Sequence, residues 1–216
     1  MGRAFTFDKY NTWHDWGLIL TAKDITPPEP KTNYVKIDGM SGSLDLSESL
    51  TGEVTYNDRV ITATFWTDDG NQKIREALLK TITSALHGKK MQIFEPDDQD
   101  HYYYGRASIT SQSNTAAYAE FTIEAICEPW RYSISESVHM YSVNGSVDLV
   151  INNNGVKAIC PDITVGGSLD ITYDGVTTSA TTGSFKISTL KLRQGVNVIN
   201  VSGTGSIGLR YREADL

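Results

Sequence analysis

HYYYGRASIT (101–110) and AAYAEFTIEAIC (116–127), joined by SQSNT, are the stretches whose reading decides the fold. Three adjacent tyrosines fit no helical stripe, whereas a strand sends neighbours to opposite faces. As strands, Tyr103, Gly105, Ala107 and Ile109 share one face, and Ala119, Phe121, Ile123, Ala125 and Cys127 make the matching one. Tyr102, Tyr104 and Arg106 then point outward, and Arg106 is expected to meet Glu120 or Glu124 across the pair. Gly105 leaves room on the inner face for a larger neighbour. An outer aromatic face wants a partner, which makes Tyr102 and Tyr104 candidate interface residues.

Working outward, strand signals dominate. WGLILTAKDI (16–25) and YVKI (34–37) flank PPEP, a proline-rich connection expected to join no ordered ladder. EVTY and RVITATFWT, separated by Asn57-Asp58, read as a hairpin. One helix stands out between Asn71 and His87. Ile74, Leu78, Ile82 and Leu86 recur every fourth residue, with Ala77 and Ala85 filling the stripe. Asp69 or Asn71 suits its start, Gly88 its end, and Glu76 and Lys80 form an i,i+4 pair. MQIF (91–94) is a short strand, and EPDDQD a solvated acidic loop.

After EPWRYS (128–133), where Pro129 marks a boundary, the composition turns to Gly, Ser, Thr, Asn and Val. Short strands are expected at 147–152, 157–165, 168–173, 176–182, 184–190, 196–201 and 206–212. Turns are expected at Asn153-Asn154-Gly155, Asp174-Gly175 and SGTGS (202–206). The fold class is therefore mainly β. An N-terminal β-sandwich or barrel (1–132), with a hairpin and one covering α-helix, precedes a small C-terminal β-sandwich of jelly-roll type (133–216).

Chemistry is scarce. No G-x-S-x-G elbow, phosphate loop or C-x-x-C pair is present, and the four histidines lack a triad-like context. The chain is expected to be no enzyme and to need no cofactor. Asp97, Asp98 and Asp100 are weak metal candidates, outweighed by a hairpin-tip reading because EF-hand spacing is missing. The net charge of −7 sits mostly before residue 134, with 13 basic against 19 acidic residues there and 6 against 7 afterwards. That distribution argues against phosphate binding. MGRAFTFDKY has no signal-peptide pattern, and no apolar run suits a membrane span. Gly2 and Thr6 formally match a myristoylation pattern, which the strand-like residues that follow disfavour. Cys127 and Cys160 are too few for a disulfide framework.

Tyr10, Trp13 and Trp16 crowd an otherwise polar N-terminal stretch, as aromatic anchors do at interfaces; packing over the first sheet is the equal alternative. The excursion 38–52 is rich in Gly and Ser yet carries Met40, Leu44, Leu46 and Leu50, and loops of that length are commonly functional. These residues complete the candidate interface set.

FTFDKYNTWHDWGLIL, IDGMSGSLDLSE, TYNDRVITATFW, the helix ending LHGKK, and YYYGR followed by EAICEPW occur in an order that resembles the distal tail protein (Dit) family of siphophages. The resemblance covers residues 1 to about 132. The second half resembles the galectin-like or carbohydrate-module-like domain of such hubs by length, position and strand pattern alone. The resemblance implies a hexameric hub ring at the tail tip, which leaves a channel through which DNA passes without specific binding. It implies as partners further copies of the chain, the tail-tube protein, a tail-associated or baseplate hub protein and a receptor-binding protein, in a virion tail assembled in the host cytoplasm. The alternative function is a carbohydrate-binding module adhering to the host cell wall. Galectins stack sugar on a tryptophan, and residues 133–216 contain none, so docking is the role expected of that half.

Overall fold

The computed structural model describes residues 3–216, which fall into two compact units, the first ending at Arg131 and the second spanning Tyr132–Asp215. The first contains β1 (Thr6–Phe7), β2 (Tyr10–Asn11), β3 (Ile19–Ile25), β4 (Tyr34–Val35), β5 (Leu44–Asp45), β6 (Arg59–Thr67), α1 (Gln72–Leu86), β7 (Lys90–Phe94), β8 (His101–Asn114) and most of β9 (Ala119–Ser133). The second is built from β10 (Ser137–Asn153), β11 (Asp162–Tyr173), β12 (Val176–Phe185), β13 (Gly195–Tyr211) and β14 (Ala214–Asp215). Among the described residues the molecule is mainly β with one helix, as expected.

In the first unit the sheet order is β2-β1-β7-β8-β9-β6-β3. The alternation read from the tyrosine strand is the core: Tyr103, Ala107, Ala119, Phe121, Ile123, Ala125 and Cys127 are buried with Phe5, Phe7, Phe65 and Ile93. A Cβ on Gly105 would lie 2.4 Å from Cys127 Sγ and 2.5 Å from the Ile126 carbonyl oxygen, so the larger neighbour is Cys127. Arg106 does not reach Glu120 or Glu124; it donates to the Gly88 carbonyl at the end of the helix. Nor does Pro129 interrupt anything. Lacking an N–H, it still offers its carbonyl, which accepts from Arg59 Nε at 3.2 Å and Nη2 at 3.0 Å within β9.

The expected hairpin of EVTY with β6 does not form. β6 lies between β9 and β3 instead, with Phe65 opposite both Phe121 and Leu20. Residues 55–57 turn back along 29–31: Lys31 donates to Thr55 O at 2.8 Å and Asn57 to Glu29 O at 2.8 Å. The proline-rich connection therefore does join a bridge, Pro30 to Tyr56, because the donors are the amides of Lys31, which follows Pro30, and Asn57, which follows Tyr56.

α1 begins at Asn71, whose side-chain oxygen accepts from Lys73 and Ile74 amides at 3.0 and 3.1 Å. The helix is rotated from the expected stripe. Arg75, Leu79, Ile82 and Leu86 are buried, while Ile74 is 56% exposed. Arg75 accounts for the rotation. Its guanidinium donates to the carbonyls of Gly70, Thr115 and Ala116, the last two at 3.0 Å, joining the helix start to the β8–β9 turn.

The second unit holds four long strands in one sheet, ordered β10-β13-β11-β12, rather than seven short ones. β10 and β13 pair without a break along 17 residues each. SGTGS is not a turn but the middle of β13. Buried side chains keep the same parity on both sides of it: Ile199 and Val201 before, Ile207, Leu209 and Tyr211 after. One face therefore closes over a single core, and the sheet bends at a row of glycines. Gly203 has φ +125°, and a Cβ there would sit 2.4 Å from Ser168 O; at Gly205 one would sit 2.0 Å from Gly166 O. Asp174-Gly175 does turn the β11–β12 hairpin. Asn153-Asn154-Gly155 instead ends β10. The buried Asn153 accepts from Gly155 N at 3.1 Å and donates to Lys157 O and Leu192 O at 3.0 Å each.

Candidate assembly surface

The excursion between β3 and β6 is an exposed apolar segment. Within it is a two-residue ladder, Tyr34–Asp45 and Val35–Leu44, tightened by Leu46 N–H to Asn33 O and Asn33 N–H to Ser47 Oγ, both 2.8 Å. Asp45 accepts from the Ser47 hydroxyl and amide, and these bonds hold its carboxyl below the usual range. The segment is shaped, yet few of its side chains find cover. Met40 and Leu44 are exposed, Leu46 is half-buried, and Leu50 is 99% exposed. Sequence reading missed Tyr34, Val35, Ile37 and Val54, exposed on the same excursion. Their signal was present as apolar residues with no periodic partner.

The N-terminal aromatics divide. Trp16 is buried and stacks on the half-buried Tyr10 at 5.3 Å, so both belong to the first core and its margin. Trp13 is 38% exposed. It lines an open cleft of about 640 Å³ with Arg3, Asp8, His14, Phe94 and Asp98. Asn11 shapes this turn: its Oδ1 accepts from the amides of Trp13 and His14.

On the tyrosine face, Tyr102 is half-buried against Phe94 with ring centroids 5.6 Å apart. Tyr104 is exposed and carries Lys90 Nζ 4.4 Å above its ring. Inside, Tyr103 lies under the Arg59 guanidinium at 5.2 Å. Burial first, and then Glu95, push its phenol upward.

The acidic loop is tied down by cations. Asp97 accepts from Lys23 at 2.7 Å and from Arg3 Nε at 3.1 Å, bonds that lower its carboxyl. Glu95 accepts from Lys23 and from the Tyr103 hydroxyl. Partial burial works against the Lys23 charge, but the two carboxylates outweigh it and raise its pKa. Asp98 meets His101 Nδ1 at 2.9 Å and Arg131 Nη1 at 3.2 Å; Asp100 gives it its amide. Burial opposes its charge too, and these partners still leave it below the ordinary range. Among the described residues, no three His, Cys, Asp or Glu side chains gather as metal ligands would. Gly2, of the formal myristoylation pattern, lies outside the described residues. No described helix is long and apolar enough to cross a membrane.

Comparison with known proteins adds a likeness of fold. No family model matches the chain, and no curated protein matches it by sequence. The fold matches the crystal structure of SPP1 Dit (gp 19.1), called a paradigm of the hub adsorption apparatus in Gram-positive infecting phages. The alignment covers 100% of both chains at a TM-score of 0.76 and 15% identity. At that identity the likeness is one of fold: the chain has a Dit-like fold along its whole length.

Proposed function

We propose that the chain is a structural component of a siphophage tail tip, a hub that assembles with copies of itself. The observation that carries this reading is the fold shared with SPP1 Dit across both units. The exposed apolar excursion supports it, since contiguous exposed apolar surface marks interaction sites on soluble domains. In this reading residues 1–132 form a hexameric ring and residues 133–216, a galectin-like module, face other tail parts. The ring joins the tail-tube protein to a baseplate hub protein and to receptor-binding proteins in the virion tail. A closed ring of one chain requires a heterologous contact, in which two different surfaces meet. The acidic first half suits the rim of a channel that lets DNA pass without holding it. The reading assigns the chain no reaction.

Electron microscopy and native mass spectrometry of the purified chain test it. Rings of six copies are expected; a monodisperse monomer at high concentration would defeat the proposal.

A further inference from the structure

A heterologous ring needs a surface to receive the exposed excursion, and the charges of the first unit favour one. The limb LDLSESLTGEV (44–54) carries Asp45, Glu48 and Glu53, no basic residue, and Leu50 almost wholly exposed. Its acceptor must be apolar at the centre and cationic at the rim. The exposed apolar sites of the first unit differ in this respect. Trp13 sits in the cleft with Asp8, Glu95 and Asp98, and Arg3 there is already bound to Asp97. Val60 and Ile126 are cross-strand neighbours flanked by Asp58, Glu124 and Glu128 in sequence. Both sites repel an acidic limb, and at the exposed Tyr104 the nearby Lys90 is already paired with Glu128 at 3.0 Å.

The outer face of α1 does not. Because Arg75 turns the helix, Ile74 and Ala77 face outward, and Lys73 and Lys80, two turns apart, flank them. Of the acids nearby, Glu76 lies 3.7 Å from Lys80, and Asp69 precedes Gly70, beside which Ile74 lies at the start of the helix. From this charge match we infer that the acidic limb of one copy lies across the Lys73–Ile74–Ala77–Lys80 face of the next. Leu50 covers Ile74, and Glu48 and Glu53 meet the two lysines. Hydrogen bonds within the limb, from Ser49 N–H to Leu46 O at 3.2 Å and from Gly52 N–H to Glu48 O at 2.7 Å, lower the ordering cost of docking.

The inference rests on the self-assembly proposed above, and the test separates the two. Sedimentation velocity on the full chain compares the wild type with Leu50→Asp, with Lys73→Glu/Lys80→Glu, and with the latter carrying Glu48→Lys/Glu53→Lys as well. All altered side chains are exposed, and circular dichroism confirms that each variant folds. Either single-sided change is expected to raise the concentration needed for assembly at least tenfold, and the charge swap to restore it to within about threefold. Mixing the Leu50→Asp chain with the Lys73→Glu/Lys80→Glu chain is expected to give a one-to-one pair and nothing larger, since one intact limb and one intact helix remain. Wild-type assembly unaffected by the helix changes overturns this inference alone, as does a mixture that forms no pair, the mark of limb meeting limb. A wild type that never assembles overturns the hub reading with it.

Discussion

At the scale of single residues, the tyrosine strand depends on Gly105. The obstacle to a side chain there is backbone as well as sulfur, because the Ile126 oxygen and the Cys127 Cα lie as close as Sγ. Gly105→Ala is expected to cost about 1–3 kcal/mol, and shortening Cys127 to Ala should not restore the loss; urea midpoints of the single and double variants decide this. Cys127 itself is pushed to about 12, chiefly by burial. An unfolded thiol ionises near about 8.5. Its stabilising contribution is therefore full below that pH and is lost as pH rises toward the folded value. Iodoacetamide should label Cys127 only through unfolding, and rapid labelling in native buffer would contradict its burial. Asp98 runs the other way. Its lowered pKa gives stability that is present above about 3.9, the ordinary carboxylate value, and is lost as pH falls through the folded value. Asp98→Asn should flatten the acid limb of a stability–pH curve measured by urea titration; an unchanged limb would place the sensitivity elsewhere.

At the scale of elements, two joints set how the chain folds. α1 is held by Asn71 at its cap and by Arg75 beneath it. Asn71→Ala should cost about 1 kcal/mol. Arg75→Met should cost more, roughly 1.5–3 kcal/mol, because charge-assisted, partly buried hydrogen bonds to three loop carbonyls are lost together. Arg75→Lys should not rescue it, as an ammonium lacks the fork that reaches two loops; thermal melts of the three variants give the order. The second joint is the glycine corner of β13. Gly203→Val combines a disallowed backbone conformation with a Cβ only 2.4 Å from Ser168 O, and hydrogen exchange should show protection lost across β10, β11 and β13. These joints also mark where sequence reading stopped. Alternation in β8 and β9 was legible because a period of two survives any tertiary context. The rotation of α1 was not, since a buried Arg75 defies the apolar stripe and only its distant carbonyl partners justify it. Glycine is equally at home in a turn and in a bent strand, so SGTGS offered no local sign of which it was. Asn57-Asp58 carried a hairpin signal, but the partners that claimed β6 come from residues 119–127 and 19–25, out of reach of any local rule.

At the scale of the whole molecule, apolar surface is distributed unequally between what the chain keeps and what it presents. The tryptophan stretch, a candidate interface by composition, is half core: Trp16 is consumed by the first unit and Trp13 is not. The excursion is the reverse case, with a base closed by the Lys31–Thr55 and Asn57–Glu29 bonds and a distal part that adds no side chain to either core. Replacing residues 33–54 with a short Gly-Ser loop should therefore leave the fold standing. It removes no core residue, and shortening a loop changes closure entropy by under about 1 kcal/mol per halving of length. The same deletion strips away Tyr34, Val35, Ile37, Met40, Leu44, Leu50 and Val54, most of the exposed apolar side chains between β3 and β6. The shortened chain should melt within a few degrees of the parent and run as a monomer by light scattering at concentrations where the parent assembles. If it melts far lower, the excursion serves the subunit's own stability. If it still assembles, the surface that joins copies lies on the sheets instead.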